Sequence, residues 1–298
     1  MRKSVLAGIL AVEVMIFFNM DIFLSGFPLY AAELGMAEDR MGVLFGVFML
    51  SALLSRPFFA RLGQRHGQKT VLMVGTFTAL LVPLLYLGVQ GFVPLLLVRM
   101  LHGWVPATFI ISVQLLLIRE TGEDHKALGL GLFGIMGGTS MLTMPYLGVW
   151  ILQNLGLTIW LLTASLFGLV AVAVFFWQVR PKAVDVELAS IQTQPLDFRL
   201  IAVPMTATVL LGMGYGAVLT YVSTYAVSLG IANPGQFFSV LALTNFSTKI
   251  LFIRYADRIP QRAVILPGTA LYALGLLLLS TPPNLSWLLL SALPIGLG

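Results

Sequence analysis

The chain has 298 residues, of which 58% are hydrophobic and only 10% charged, with a net charge of +5 and no cysteine. An ordinary soluble domain carries about 25% charged residues, so a water-facing surface is excluded by composition, and disulfides and thiolate metal sites are excluded with it. Three scattered histidines (His66, His102 and His125) offer no metal-ligating spacing, and the basic excess has a better account than nucleic acid.

Met1-Arg2-Lys3 precedes an apolar run that continues to about Tyr30. That run is too long for a secretory h-region and reads as an uncleaved first span. Further spans are expected at 41–61, 70–90, 92–118, 127–153, 157–178, 200–228, 236–254 and 262–281, after the first at 5–31. Each supplies the roughly 20 apolar residues a helix needs to cross a bilayer. A tenth starts at Trp287 and reaches Gly298. Its twelve residues rise about 18 Å against a hydrocarbon core of roughly 30 Å, so the chain reads as C-terminally truncated. The expected fold class is an all-α polytopic membrane protein with nine complete transmembrane helices plus the start of a tenth.

Lys and Arg accumulate in cytoplasmic loops. With the N-terminus in the cytoplasm, 15 of 17 basic residues fall at cytoplasmic ends; Arg40 lies outside and Arg99 within a span. The longest polar stretch, Gln178 to Leu200, contains Pro181 and Pro195 and reads as a linker. Three regions follow: a six-helix bundle over 1–178, a cytoplasmic linker over 179–199, and an incomplete second bundle over 200–298 holding helices seven to nine and part of ten.

The second region repeats the first. Tyr30-Ala31-x-x-Leu34-Gly35-x-Ala37 matches Tyr225-Ala226-x-x-Leu229-Gly230-x-Ala232 at an offset of 195. Arg56, Phe59, Arg61, Arg65, Gln68 and Lys69 match Lys249, Phe252, Arg254, Arg258, Gln261 and Arg262 at an offset of 193, and Leu95 to Leu97 with Gly103 match Leu288 to Leu290 with Gly296. Leucine-rich spans resemble one another by chance, but four basic residues in register do not follow from that.

On these residues the chain resembles the major facilitator superfamily over essentially its whole length. The loop Arg61-Leu62-Gly63-Gln64-Arg65-His66-Gly67-Gln68-Lys69 is similar to the family's motif A, with Ala60 at the first glycine, Gln64 at the acid and Gln68 at the first basic position. The second copy, Arg254-Tyr255-Ala256-Asp257-Arg258, keeps the acid. Arg99 with Gly103 resembles motif B. Met144-Pro145-Tyr146-Leu147-Gly148 resembles motif C of drug:proton antiporters, so Pro145 and Gly148 are expected to kink a close-packed helix. The resemblance implies transport of a small molecule by alternating access, with helices one, four, seven and ten lining the path. It implies no enzyme activity, no cofactor and no metal.

Charges inside the apolar phase cost about 2.5–3.5 kcal/mol each, so each needs a reason. Asp21 is about ten residues from the outer end of its helix and Arg99 about seven, roughly 15 and 10 Å. An Asp21–Arg99 pair is therefore expected, with Asp21 as proton site and Arg99 released to an anionic substrate on protonation. Glu13 is nearer the cytoplasmic end and is expected to reach water. The repeat equivalents of Glu13, Asp21 and Arg99 are Thr208, Gly216 and Ala292, so shared helix packing does not demand the charges.

Arg61, Gln64, Arg65 and Lys69, with Asp257 and Arg258, form an expected gating loop. Asn19, Trp104, Gln114, Tyr215, Tyr221 and Asn245 are candidate cavity-lining residues, each with packing as the alternative. Gly129-x-Gly131-x-x-Gly134 fits a dinucleotide fingerprint but follows no strand, and Gly134-x-x-x-Gly138 instead points to close helix packing. The expected function is proton-coupled efflux of a small, partly apolar compound by a monomer in the cell membrane, with the lipid bilayer, a proton and a small molecule as partners and no nucleic acid. A uniporter or importer of a polar metabolite and a non-transporting sensor or scaffold remain as alternatives.

Overall fold

The computed structural model describes residues 3–122, 125–179, 198–253, 261–281 and 284–298. Among the described residues there is no strand. The helices are α1 (Lys3–Glu33), α2 (Glu38–His66), α3 (Gln68–Tyr86), α4 (Phe92–His102), α5 (Trp104–Thr121), α6 (Lys126–Val174), α7 (Phe198–Ser228), α8 (Gly235–Ile253), α9 (Gln261–Leu279) and α10 (Leu285–Leu297). A π-helical turn, Phe175–Val179, continues α6. Lipid offers backbone groups no hydrogen-bond partners, so long helices that satisfy themselves are the solution such a composition forces. Six helical stretches among the described residues are long and apolar enough to cross a membrane.

The expected fourth span is α4 and α5 together. The expected fifth and sixth spans are one continuous helical run that bends at Gly156 (φ 85°, ψ 170°), nearly the geometry of Gly67 (φ 84°, ψ 154°) between α2 and α3. The run reverses there. Before the bend Gly137 lies on Phe17 and Pro145 near Ser25; after it Ala164 lies near Asn19 and Gln178 near Gly8.

Two details carry the repeat down to atoms. The first is the cap after the first and seventh spans. Gly35 N–H donates to Ala32 O at 2.9 Å and Met36 N–H to Ala31 O at 3.0 Å; Gly230 N–H donates to Val227 O at 2.9 Å and Ile231 N–H to Ala226 O at 3.0 Å. Both glycines have positive φ, 72° and 77°, which is the left-handed cap that glycine alone adopts without strain. The second is the approach of the fourth span to the second. A Cβ on Gly103 would stand 2.5 Å from Phe48 O, 2.9 Å from Ser51 Cβ and 2.9 Å from Ala52 N. One on Gly296 would stand 2.8 Å from Leu241 O, 2.8 Å from Thr244 Cβ and 3.3 Å from Asn245 N. Every partner in the second set is 193 residues after its counterpart in the first.

The two copies meet unevenly. One buried apolar cluster gathers Phe27, Tyr30 and Trp160 of the first copy with Val222, Phe237 and Ile295 of the second, toward the face that carries Gly35. The other cluster, around Ile9, Leu72, Val113 and Phe175 toward the Gly67 face, takes no residue after Val179 among the described residues. Near the Gly35 face, Tyr221 Oη donates to Glu38 O (3.2 Å), Gln153 Nε2 to Ala232 O (2.7 Å), Asn233 Nδ2 to Tyr146 O (3.2 Å) and Ser239 Oγ to Leu142 O (2.6 Å). Toward the other face, residues 205–213 of α7 are exposed in an unbroken run. The halves are closed on the Gly35 face, and α7 is uncovered over 205–213.

The expected linker over 179–199 falls almost wholly on residues outside the described ones, as do Asp257 and Arg258.

Candidate functional site

Asp21 lines a cavity of about 240 Å³ at the seam between the copies. α1 contributes Phe17 and Asp21, the first part of α6 contributes Phe133, Gly134, Gly137, Gly138 and Met141, and α8 contributes Ala242, Asn245 and Phe246. Phe17 meets Phe133 at 5.3 Å between ring centroids. The glycines make the room. A Cβ on Gly137 would press on Phe17 and one on Gly138 on Phe246, while Gly134 faces open space. The Gly134-x-x-x-Gly138 spacing is therefore close packing at one end and cavity wall at the other. Ser140 is buried beside Asp21, and Tyr215 of α7 lies within electrostatic reach of it.

Arg99 is somewhere else. It is 2% exposed and its guanidinium lies 3.6 Å from the centroid of Phe27, 4.6 Å from Phe48 and 5.0 Å from Phe45. One terminal nitrogen donates to His102 Nδ1 at 3.3 Å, and Tyr86 Oη approaches the same Nδ1 at 3.2 Å. Arginine has no acceptor, so Nδ1 must accept and the imidazole proton sits on Nε2. The Arg99 Nε is buried without a partner. A cation shut away from water gains about 2 kcal/mol or more from such ring faces. They stand where a carboxylate was expected.

The anticipated Asp21–Arg99 pair is thus absent from this conformation, and the reason is angular. Phe27, which touches Arg99, is six residues beyond Asp21, about 120° around the helix and about 9 Å along it. Depth alone matched the two charges; their helix faces do not. Of the helices expected along the path, four, seven and ten supply none of the lining residues of the Asp21 cavity, because α6 and α8 occupy that seam.

Glu13 does not reach water. It is fully buried and both carboxyl oxygens lack a hydrogen-bond partner. Its neighbours along α1, Ile9, Val12 and Ile16, pack into the apolar cluster with Leu72, Val113 and Leu116. Val113 and Leu116 of α5 and Phe175 and Val179 of the π-turn pack in the same cluster, and Gln178 lies against Gly8, so these elements close off that end of α1.

Of the remaining candidates, only Asn245 lines the cavity. Asn19 is a structural tie, its Nδ2 donating to Ala79 O at 3.0 Å and Ala164 O at 2.8 Å. Trp104 is 37% exposed and packs edge-on against Phe59. Gln114 is half-buried on α5, away from that cavity. Tyr221 fastens α7 to α2. Pro145 and Gly148 sit at a three-helix junction: Ser25 Oγ donates to Pro145 O at 2.6 Å, Gly148 rests on the Ile22 backbone, and Gly235 of α8 rests on Pro145.

In the loop between α2 and α3, Arg61, Gln64 and Arg65 are exposed and Lys69 is half-buried. Gln68 does more than replace a basic residue. It covers Gly63, and its Oε1 accepts from Ser112 Oγ at 3.1 Å, joining α2, α3 and α5. Residue type alone did not single out Phe17, Phe133, Phe246 or His102. The signal for His102 was its place three residues after Arg99, on the same face of α4.

The model of the Major Facilitator Superfamily matches residues 9–298. A staphylopine export protein of Staphylococcus aureus is 27% identical over 285 residues, covering 90% of this chain and 69% of that protein. The multidrug resistance protein MdtL of Klebsiella pneumoniae is 26% identical over 108 residues, covering 36% of this chain and 27% of that protein. Among solved structures, the nucleoside transporter NupG superposes with a TM-score of 0.74 at 11% identity, covering 100% of this chain and 79% of that one. A D-xylose–proton symporter superposes at 0.71 and 13% identity, covering 98% and 79%; both likenesses are of fold. With its duplicated helical unit and a match along nearly its full length, the chain belongs to the Major Facilitator Superfamily of membrane transporters.

Proposed function

We propose that this chain is a secondary active exporter of a small, partly apolar molecule, exchanging it for protons by alternating access. The observation that carries the reading is Asp21, a carboxyl group set in a mostly apolar cavity at the seam between the copies. A carboxylate there is costly unless something neutralises it. A proton and a substrate are alternative ways to do so, and that alternation is what exchange requires. The export and resistance proteins among the relatives support the direction.

The architecture we assign is nine membrane-crossing helices followed by α10, grouped as a bundle over 1–178, a linker over 179–199 and a second bundle from 200. The basic residues favour a cytoplasmic N-terminus in the cell membrane. The Gly35 face is then external, and the conformation described is closed outward. Arg61, Gln64, Arg65 and Lys69, with Asp257 and Arg258, would pair across the inner face to close the opposite state. Arg99 holds a fixed positive charge within the first bundle, and Glu13 is a second buried acid on the same helix as Asp21. The unit works as a monomer.

The test is reconstitution in vesicles with an imposed pH gradient. Flux of exported dyes should follow the gradient and fall by about 100-fold or more in Asp21→Asn. Gradient-driven flux unchanged by that substitution would remove Asp21 from the proton path.

A further inference from the structure

A second cavity, of about 370 Å³, lies on the closed Gly35 face. α1 supplies Leu29, Ala32 and Glu33, the first part of α6 supplies Leu152 and Gln153, and α7 supplies Thr224 and Val227. Thr224 and Val227 are the repeat equivalents of Leu29 and Ala32 at the offset of 195. The same turn of the first and seventh spans thus stands on both sides of the seam, with the cavity between. Glu33 is twelve residues beyond Asp21 on α1, about 18 Å along the helix, so this site is separate from the Asp21 cavity.

Its polar groups suit one chemistry. Gln153 Nε2 already donates to Ala232 O at 2.7 Å, and Thr224 Oγ1 to Tyr221 O at 3.0 Å. The Thr224 hydrogen and one of the two amide hydrogens are therefore spent, and the hydroxyl lone pairs and the Gln153 carbonyl are left as acceptors. Glu33 adds a carboxylate, which is negative and only accepts. Leu29 and Leu152 are buried beside them, and Val227 adds a third apolar side chain. Acceptors around a carboxylate on an apolar floor call for a positive group with several N–H donors.

We infer that this cavity is a regulatory site for a primary ammonium on a compact apolar body, and that its occupant locks the Gly35 face closed. Both copies supply the walls, so opening that face pulls them apart. A ligand touching both walls binds the closed conformation better and shifts the population toward it. Transport is thereby opposed without entry into the Asp21 cavity. A quaternary ammonium has the charge but no N–H, and an alcohol has the donor but no charge, so neither fills the role. The volume lies within the usual 300–1,000 Å³ of ligand pockets. The inference rests on the alternating access proposed above, but not on Asp21 as the proton site.

Val222→Cys supplies the readout. The chain has no other cysteine; Val222 is 2% exposed, in the cluster that both copies share, and lies outside the cavity lining. Maleimide labelling of this cysteine therefore follows opening of the seam. With the whole chain in phosphatidylcholine nanodiscs, benzylammonium should slow labelling by about tenfold, and benzyltrimethylammonium and benzyl alcohol should not. Glu33→Gln removes the charge at an exposed position, and Ala32→Leu fills the cavity from another. Each should abolish the slowing with the melting temperature unchanged, and Asp21→Asn should preserve it. Nanodiscs that include phosphatidylethanolamine, with no amine added, identify the source. Slowing that Glu33→Gln removes would put a lipid headgroup at the site, and none would leave a soluble amine as its ligand.

Equal slowing by benzyltrimethylammonium overturns the inference, as does slowing that survives both Glu33→Gln and Ala32→Leu, or slowing that Asp21→Asn abolishes. Labelling at one rate with and without benzylammonium overturns the lock and leaves alternating access standing. A cysteine in the folded chain that is never labelled overturns alternating access, and the lock with it.

Discussion

Arg99 and Ala292 hold equivalent places in two copies of one helical unit, and their surroundings have diverged with them. Around Arg99 stand Phe27, Phe45, Phe48, Tyr86 and His102. Around Ala292 the equivalent positions are Val222, Phe238, Leu241, Leu279 and Ile295. All five belong to or pack on the buried cluster that contains Ala292. The backbone at the site is the same in both, because Gly103 and Gly296 touch equivalent atoms of α2 and α8. The four-helix arrangement therefore needs no cation. The first copy carries a cation there, and all five neighbours are aromatic or imidazole side chains that hold it without an acid.

The sharpest way to break that comparison is to make the first copy like the second. Arg99→Met keeps length and removes the charge. A buried charge lacking an ionic partner opposes folding, and apolar replacement of buried ionic groups has been neutral or stabilising by about 1–4 kcal/mol. Thermal stability in detergent should hold or rise, while gradient-driven flux falls by about 100-fold. Full flux in a stable Arg99→Met protein would make the cage mere architecture.

A middle-sized effect tests the equivalence itself. Gly103→Ala pushes a methyl group into backbone atoms at 2.5 and 2.9 Å, and Gly296→Ala into atoms at 2.8 and 3.3 Å. Overpacking of this kind costs about 1–3 kcal/mol, and the first substitution should cost more than the second. Melting temperatures of the two variants measure the order. Equal or reversed costs would mean that the matching contacts do not carry matching weight.

Much of this was readable from the chain. Apolar length sets span positions because a bilayer has one thickness, and the 195 and 193 offsets set the repeat because they were tied to glycines and basic residues that recur. Facing was not readable. Counting residues gives depth along a helix, but Asp21 and the Arg99-binding Phe27 differ by about a third of a turn, which no depth argument detects. Asn19 illustrates the same limit, since a polar residue within a span is equally a ligand or a tie between helices, and two carbonyl partners decide it. Glu13 depended on α5 and the π-turn after α6 packing against the start of α1, which composition does not set. Asn245 is the same kind of residue, and only its facing, toward the seam, sets it apart from Asn19.

The smallest effect concerns the seam between the copies. Tyr221 Oη donates to Glu38 O at 3.2 Å on the closed face, with the same hydroxyl lying against Gly42. Tyr221→Phe keeps the ring and removes one hydrogen bond, a net loss of about 0.5–1.5 kcal/mol. If that bond forms only in the closed state, the open population should rise by about 2- to 10-fold. The chain has no cysteine, so a single Thr224→Cys reports the seam without background; Thr224 lines the cavity of about 370 Å³ beside Gln153 on that face. Labelling of this cysteine by a membrane-impermeant maleimide should quicken by the same factor in Tyr221→Phe. An unchanged rate would mean that the bond persists in both states, leaving Gln153, Asn233 and Ser239 to carry the difference between open and closed.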